Sequence, residues 1–473
     1  MNRTFQSLLS SLCKRLWRGG LVGILLIGAA YLGLRVSTRW LMLVGVVIGV
    51  VPVLARPVLG LFGLVVAALL VPLQFGTGTE VALNLATLLV PVLLVLCLVS
   101  MLKQRRLQIA PSRVNAPLLG FVLAGLASLL VGNALWDPAV PRPGSFALVQ
   151  LAQWAIFAFS AGAFWLTGNL VRHEIWLRRL TFLFLGLAGS LALLAVLVGG
   201  YAVVNSRVAT ATLTRSPFWM LLTALAGGQL LFNGKLSLGC RLFSLATLGA
   251  VLVFAFHQQR ETASHWVGVV AVVGVLVWLR WPRLRWPVVA ILAVLVGTGF
   301  LTSAVYDFAG GKAEWAESGA SRLALIGRVV EVTMRNPITG LGPASYRRYA
   351  GMEPLLYGRA LWLHPQVNSH NNYVDLFSQV GLLGLGLFLW FAAELARLGF
   401  RLRAHFTEGF PAGYLNAMLA AWAGALVLML FADWILPFVY NIGFPGFQAS
   451  VLVWLFLGGL LSLEQIAHSE TDT

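Results

Sequence analysis

The chain has 473 residues, 59% hydrophobic and only 10% charged, with a formal net charge of +17 and a mean hydropathy of +0.86. Soluble domains carry roughly 25% charged residues, so a soluble fold is excluded, and the unbroken apolar runs exclude a membrane barrel, whose strands alternate. The positive charge does not mark a nucleic-acid binder, because many basic residues stand in short loops between apolar runs, where they set orientation in a membrane.

A membrane-crossing helix needs about 20 mostly apolar residues. Such runs recur near 20–35, 40–55, 57–75, 82–102, 116–135, 147–169, 180–203, 217–233, 240–256, 264–280, 287–304, 371–395, 413–432 and 447–463. They predict an all-α, polytopic transmembrane helical bundle of about 12–14 spans, with residues 1–473 as a single membrane domain. Basic residues precede the first run without a small-residue cleavage site, so it is expected to stay as an uncleaved helix. Cys13, Cys97 and Cys240 are scattered, without metal-ligand spacing, and no disulfide is expected.

Orientation follows from lysine and arginine. An inside N-terminus also puts Lys103/Arg105/Arg106/Arg113, Arg172/Arg178/Arg179, Lys235/Arg241, Arg280/Arg283/Arg285 and Arg397/Arg401/Arg403 inside. Both termini are then cytoplasmic, and residues 305–370 form one long external loop. Within that loop, 318–335 places Leu323, Ile326, Val330 and Met334 at helical spacing. It predicts an amphipathic helix on the membrane surface or over the bundle. Asn336-Pro337-Ile338-Thr339-Gly340-Leu341-Gly342-Pro343 ends it in a sharp turn. A glycine turn of this kind is too common to indicate phosphate binding by itself.

This topology gathers polar residues on the external side. Arg207, Arg215, Arg260, Arg322 and Arg328 run against the positive-inside bias, and His364 and His370 lie near the end of the long loop. A single external arginine reads as a headgroup anchor. Arg215 and Arg260 each stand at the external start of a helix, where the dipole favours an anion, and together they suit a phosphorylated ligand. His370 sits in Asn368-Ser369-His370-Asn371-Asn372-Tyr373-Val374-Asp375, at the mouth of an apolar run. A helix starting near Ser369 would keep its imidazole neutral and able to accept a proton, with Asp375 orienting it or an acceptor hydroxyl. The bland alternative makes Ser369 a helix cap and His370 an interfacial residue. External carboxylates, Asp433 among them, look dispersed, and no metal site is expected.

Taken together, the long loop, Arg322 followed by the Pro337–Gly342 turn, Ser369-His370-Asn371-Asn372-Tyr373 and Gly381-Leu382-Leu383-Gly384 resemble the O-antigen ligase and polymerase superfamily of bacterial envelopes. The likeness is firm over residues 200–390. The chain departs from the family pattern at Gln259-Arg260-Glu261-Thr262, where relatives often have Ser-Arg and small residues, and at Ile326, where a tryptophan is common. The resemblance implies a membrane-embedded, GT-C-like, inverting glycosyltransferase that needs neither metal nor cofactor. Its donor would be an undecaprenyl-diphosphate-linked glycan at the outer face of the inner membrane, and its acceptor a lipid-borne sugar, another glycan or a protein hydroxyl. It also implies roles: Arg215, Arg260 and Arg322 bind the donor, and His370 activates the acceptor. Asn371, Tyr373, Asp375, Arg328, His364, Gly340 and Gly342 would support them. A flippase for the same lipid-linked glycan is the rival from another class. Transporters place polar sites near the bilayer midplane, whereas these residues gather at one face.

Overall fold

The structure is a computed structural model describing residues 56–78, 81–103, 105, 109–197, 199–208, 211–259, 263–299, 320–352 and 368–471. By compactness Met1–Leu59 forms one unit and Gly60–Thr473 another. The described chain runs α1 (Val58–Leu70), a hairpin of β1 (Gln74–Gly76) and β2 (Ala82–Asn84), α2 (Leu85–Lys103), α3 (Asn115–Ala134), α4 (Phe146–Leu170), α5 (Glu174–Ala195) and α6 (Gly200–Val208). Then come α7 (Ser216–Phe232), α8 (Leu238–Val253), α9 (Ala263–Arg280), α10 (Arg285–Gly297), α11 (Ala320–Thr333), α12 (Tyr346–Ala350), α13 (Asn372–His405), α14 (Gly409–Leu428) and α15 (Gly443–Thr471).

The first two predicted runs lie outside the described residues. Each of the others coincides with helix, and the 180–203 run divides into α5 and α6. Eight described helices are long and apolar enough to cross a membrane, nine if the pair bent by 110° between α9 and α10 counts as one span. The shorter α1 and α7 have 13 and 17 residues. The protein is therefore an all-α, multi-pass membrane protein.

Packing explains the order of the bundle. The most apolar stretch of α15 is wholly buried, as expected of a helix that is apolar all round, and α15 packs along α4. α14 packs on α7 and α9, and α3 on α13. The helix predicted near 371–395 continues to His405, carrying Arg397, Arg401 and Arg403 on its last turns rather than in a loop. Arg401 Nη2 meets Glu464 of α15 at 2.8 Å, and basic groups suit the negative end of a helix dipole.

α13 has 34 residues, roughly 51 Å at 1.5 Å per residue, well over the ~30 Å hydrocarbon core. It is broken at Gly381, where φ is 66° and ψ −171°. The Pro337–Gly342 turn fills the break: Leu382 N donates to Pro337 O (2.9 Å), Leu383 N to Ile338 O (3.1 Å), and Leu341 N to Ser378 O (2.8 Å). A Cβ on Gly381 would stand 2.1 Å from Ile338 O, and one on Gly340 2.5 Å from Gly381 N. Both glycines therefore serve close backbone approach at positive φ. Gly340 and Gly342 act in the fold as a splice.

α11 corrects the predicted apolar stripe. The helix packs against α13, but it buries Leu325, Val329 and Val332, while Leu323 and Met334 are 62% and 60% exposed. The bundle offers it an aromatic cluster of Trp136, Phe146, Tyr346 and Tyr349. A helix with apolar residues on two neighbouring stripes turns toward the one that fits this cluster. Arg328 lies on the inward side, 8% exposed, with Nη1 2.9 Å from Glu331.

Candidate active site

The segment Asn368–Asp375 is a self-bonded knot. Asn371, extended at φ −140° and ψ 112°, caps α13: its side-chain oxygen accepts from Tyr373 N (3.0 Å) and Val374 N (3.2 Å). The cap is thus Asn371, not Ser369. Ser369 Oγ instead donates to Asp375 Oδ1 (2.7 Å), as does Ser369 N (3.1 Å), and Asn368 Nδ2 donates to Asp375 Oδ2 (2.8 Å). Both oxygens of Asp375 are engaged in closing this loop. His370 lies between, in the left-handed region at φ 52°. Such a conformation costs a non-glycine residue on the order of 1–3 kcal/mol, and strain of this kind gathers at functional sites.

Three neighbouring side chains stitch the end of α14 and the loop after it, residues 426–442, onto the start of α13. Asn371 Nδ2 donates to Leu430 O (3.2 Å), Asn372 Nδ2 to Leu436 O (2.8 Å), and Tyr373 Oη to Leu426 O (2.8 Å). Asn372 Oδ1 accepts from Ile435 N and Leu436 N, both at 3.2 Å. Gln153 of α4 holds the far side, donating to Pro437 O (3.1 Å) and accepting from Val439 N (2.7 Å). A connecting loop fixed at so many backbone groups is rigid.

That stitching delivers Asp433, a residue sequence reasoning passed over. It is 1% exposed and accepts from Phe438 N (2.8 Å) and Asn441 Nδ2 (2.7 Å). Burial pushes its carboxyl above the usual carboxylate range, while the Phe438 N–H, the positive charge of His370 and the Asn441 amide hold it down. The carboxylate whose field reaches His370 is therefore Asp433, and Asp375 has the loop role. The signal was present in the topology, which put Asp433 on the same face as His370; 62 intervening residues hid the pairing.

Asp433 also acts on Arg215. Burial pulls the Arg215 guanidinium below its ordinary value, and Asp433 first, then Tyr201, pull it back up. Arg215 directly precedes α7, in extended conformation, with Pro217 in the first turn, where a missing N–H costs nothing. Its guanidinium lies 5.6 Å from the ring centroid of Trp434. Among the described residues, Arg215 Nε, Ser216 Oγ and Trp434 Nε1 are buried without a hydrogen-bond partner. Each such group costs about 1–3 kcal/mol, and all three can donate toward an anion at the start of α7.

Tyr346 of α12 joins the far side. Its hydroxyl is buried without a partner among the described residues. Burial pushes this phenol far above its ordinary value, with Arg328 pulling it down and Asp375 pushing it up. Arg328, Tyr346 and Asp375 are thus neighbours. Arg260 and His364 lie outside the described residues. Arg322 falls on the first turn of α11, its side chain also outside the description. Of the predicted residues, the structure brings His370 and Arg215 together around Asp433, and Arg328 toward Asp375.

A comparison with curated proteins finds no match. Residues 248–389 match the family model described as O-Antigen ligase. That segment holds Arg328, the Pro337–Gly342 splice, Tyr346, His370 and Asp375, while Arg215 and Asp433 flank it on either side. The match agrees with the motifs around Arg322, Gly340 and His370, and with the helical bundle that carries them. Over residues 248–389 the chain is similar to the O-antigen ligase family, and that likeness supports activity of the ligase or polymerase type in general.

Proposed function

We propose that the protein transfers a glycan from an undecaprenyl-diphosphate carrier to an acceptor hydroxyl, with inversion at the anomeric carbon and without a metal. The observation that carries this reading is the convergence of Arg215, His370 and Asp433, beside three buried donors that lack partners. The site would face the outside of a bacterial inner membrane, both termini being cytoplasmic.

Each group has a physical task. As the bond between the anomeric carbon and the diphosphate breaks, negative charge grows on the leaving oxygens. Arg215, the positive end of α7, Ser216 and the Trp434 indole N–H can meet that charge in a low-dielectric setting, where fixed donors act most strongly. Arg260 and Arg322 complete the cradle by family resemblance. The acceptor hydroxyl attacks from the opposite side, and its proton passes to the His370 imidazole. The cation so formed lies in the field of Asp433, whose buried carboxylate stabilises it. Asn371, Asn372 and Tyr373 keep the two segments in register, and Asp375 shapes the turn that presents His370.

The test uses purified protein, a synthetic lipid-diphosphate glycan and candidate acceptors, with a chelator present. Released undecaprenyl diphosphate and transferred glycan are measured for wild type, His370→Ala and Arg215→Ala. Coupled release and transfer, lost in both folded variants, support the reading, and the molecule that receives the glycan separates ligase from polymerase. Donor binding without release under any acceptor would sink it in favour of transport.

A further inference from the structure

A cavity of about 340 Å³ opens where α3 ends and the turn after α11 begins, lined by Leu135, Asp137, Arg335, Asn336, Leu341 and Tyr349 among others. That volume is at the lower end of the roughly 300–1,000 Å³ of small-ligand sites, room for a small organic ring rather than a single ion. Asp137 Oδ2 accepts from Arg335 Nη1 at 3.1 Å, and both side chains are roughly half-exposed. The Arg335 guanidinium lies 5.5 Å from the ring centroid of Tyr349. Tyr349 in turn accepts from Asp137 N (3.2 Å) and packs on Trp136 with centroids 4.9 Å apart. The acidic and basic groups are thus held side by side against an aromatic wall.

We infer that this cavity is a saccharide subsite that takes one sugar unit of the glycan being transferred or of the acceptor that receives it, an inference that rests on the glycan-transfer reading. A sugar hydroxyl both donates and accepts, and neighbouring hydroxyls sit at fixed spacing. The pair in the cavity offers the complement: a guanidinium with five N–H groups, one committed to Asp137, beside a carboxylate with spare lone pairs. Leu135 and Leu341 supply apolar surface for the C–H face of a ring. A phosphate is disfavoured because Asp137 places a negative charge in the same wall.

An exposed ion pair contributes only about 0–1 kcal/mol to stability, so stability alone gives little reason for this arrangement. The position suits a glycan that extends from the reacting centre. Asn336 opens the turn that is spliced into α13, and Tyr349 lies one turn along α12 from Tyr346, the neighbour of Asp375.

The experiment measures saturation-transfer NMR on the full chain in detergent. The probes are the oligosaccharide released by mild acid from the cell's lipid-linked donor, the free acceptor oligosaccharide, and inorganic phosphate. Wild type should bind one of the two saccharides and not phosphate. Arg335→Gln and Asp137→Asn should each weaken that binding about tenfold, the loss of a hydrogen bond to a charged group. In transfer assays the same variants should raise KM about tenfold for that one substrate, with kcat within about twofold. A KM change confined to the donor assigns the subsite to the donor glycan, and one confined to the acceptor assigns it to the acceptor. Wild type that binds neither saccharide, or variants that bind as well as wild type, would overturn the inference. Melting temperatures identify a variant that fails to fold, and the near-isosteric Asp137→Asn then carries the test. Because binding is read without turnover, a wild type that binds sugar but transfers none would sink the proposed function alone.

Discussion

Asp375 and Asp433 are both buried at the same end of the bundle, one on the first turn of α13 and the other in the loop that follows α14. Their local bonding is alike, since each accepts from a backbone N–H and a side-chain amide nearby. The difference lies on their open sides. Asp375 lies beside the uncharged phenol of Tyr346, is closed by the Ser369 hydroxyl, and has as its charged neighbour the like-charged Asp433. Asp433 looks toward two groups that can carry positive charge, His370 and Arg215. Equal burial of one residue type therefore gives a scaffold in one place and an electrostatic partner in the other, and what each faces decides which.

The largest expected effect belongs to the groups around Asp433. His370→Ala should lower kcat by about 10²–10⁴-fold, the range for loss of a general base, while donor binding persists. Arg215→Ala should cost about 10²–10³-fold, as for loss of one donor to developing charge. Single-turnover transfer with purified protein measures both. Full activity in either variant would remove that residue from the mechanism.

Next comes Asp433→Asn, which keeps the shape and removes the charge. Without the carboxylate the imidazolium loses its counter-charge, and kcat should fall by about 10²-fold, the scale for loss of one electrostatic stabiliser. Its pH dependence is specific. Because the folded carboxyl is raised, the folded state holds a proton more tightly than the unfolded chain. Asp433 therefore contributes stability at low pH that is lost as pH rises from about 4, its ordinary value, through its raised folded value. Thermal melting across pH should show a shallower slope in Asp433→Asn than in wild type. The acid limb of kcat should likewise disappear or shift in the variant. Identical pH profiles for both proteins would return Asp433 to a purely structural role.

Asp375→Asn should behave in the opposite way. All three of its hydrogen bonds are accepted, and an amide would set its own N–H₂ against the donors of Asn368 or Ser369. A buried mismatch of this kind costs about 1–3 kcal/mol, read as a lower melting temperature. The kcat per folded molecule should change less than in Asp433→Asn. If Asp375→Asn lost activity at an unchanged melting temperature, the two carboxylates would have to exchange roles.

Much of this was legible in the sequence, for physical reasons. Apolar runs report burial or lipid directly, so every predicted run within the described residues is helix. The polar knot at Asn368–Asp375 stood out because so many hydrogen-bonding side chains have no place in a membrane unless they satisfy one another. Pairings between distant segments were not legible. Nothing local to Asp433 shows that Asn371, Asn372 and Tyr373 bind the backbone around it. The spacing of Leu323, Val330 and Met334 showed a helix, but the choice of buried stripe belongs to the aromatic cluster it meets. The break at Gly381 likewise depends on a turn 40 residues earlier.

The smallest effect tests the unsatisfied side of the comparison most finely. Trp434 offers two things at this end: an aromatic face 5.6 Å from the Arg215 guanidinium and an indole N–H that lacks a partner among the described residues. Trp434→Phe keeps a face and removes the N–H, whereas Trp434→Leu removes both. If the N–H is a donor held ready for the diphosphate, the phenylalanine variant should raise donor KM or lower kcat by about tenfold, the low end for one hydrogen bond to a charged group. The leucine variant should cost a further small factor, since a cation over an exposed ring is worth about 0.5–1 kcal/mol. If instead the N–H is merely an uncompensated burial, Trp434→Phe should leave transfer unchanged and raise the melting temperature, because removing an unpaired buried donor relieves its desolvation cost. The two outcomes differ in sign as well as size, so one variant and two readouts decide whether this end of the bundle is donor-rich for a substrate or only imperfectly packed.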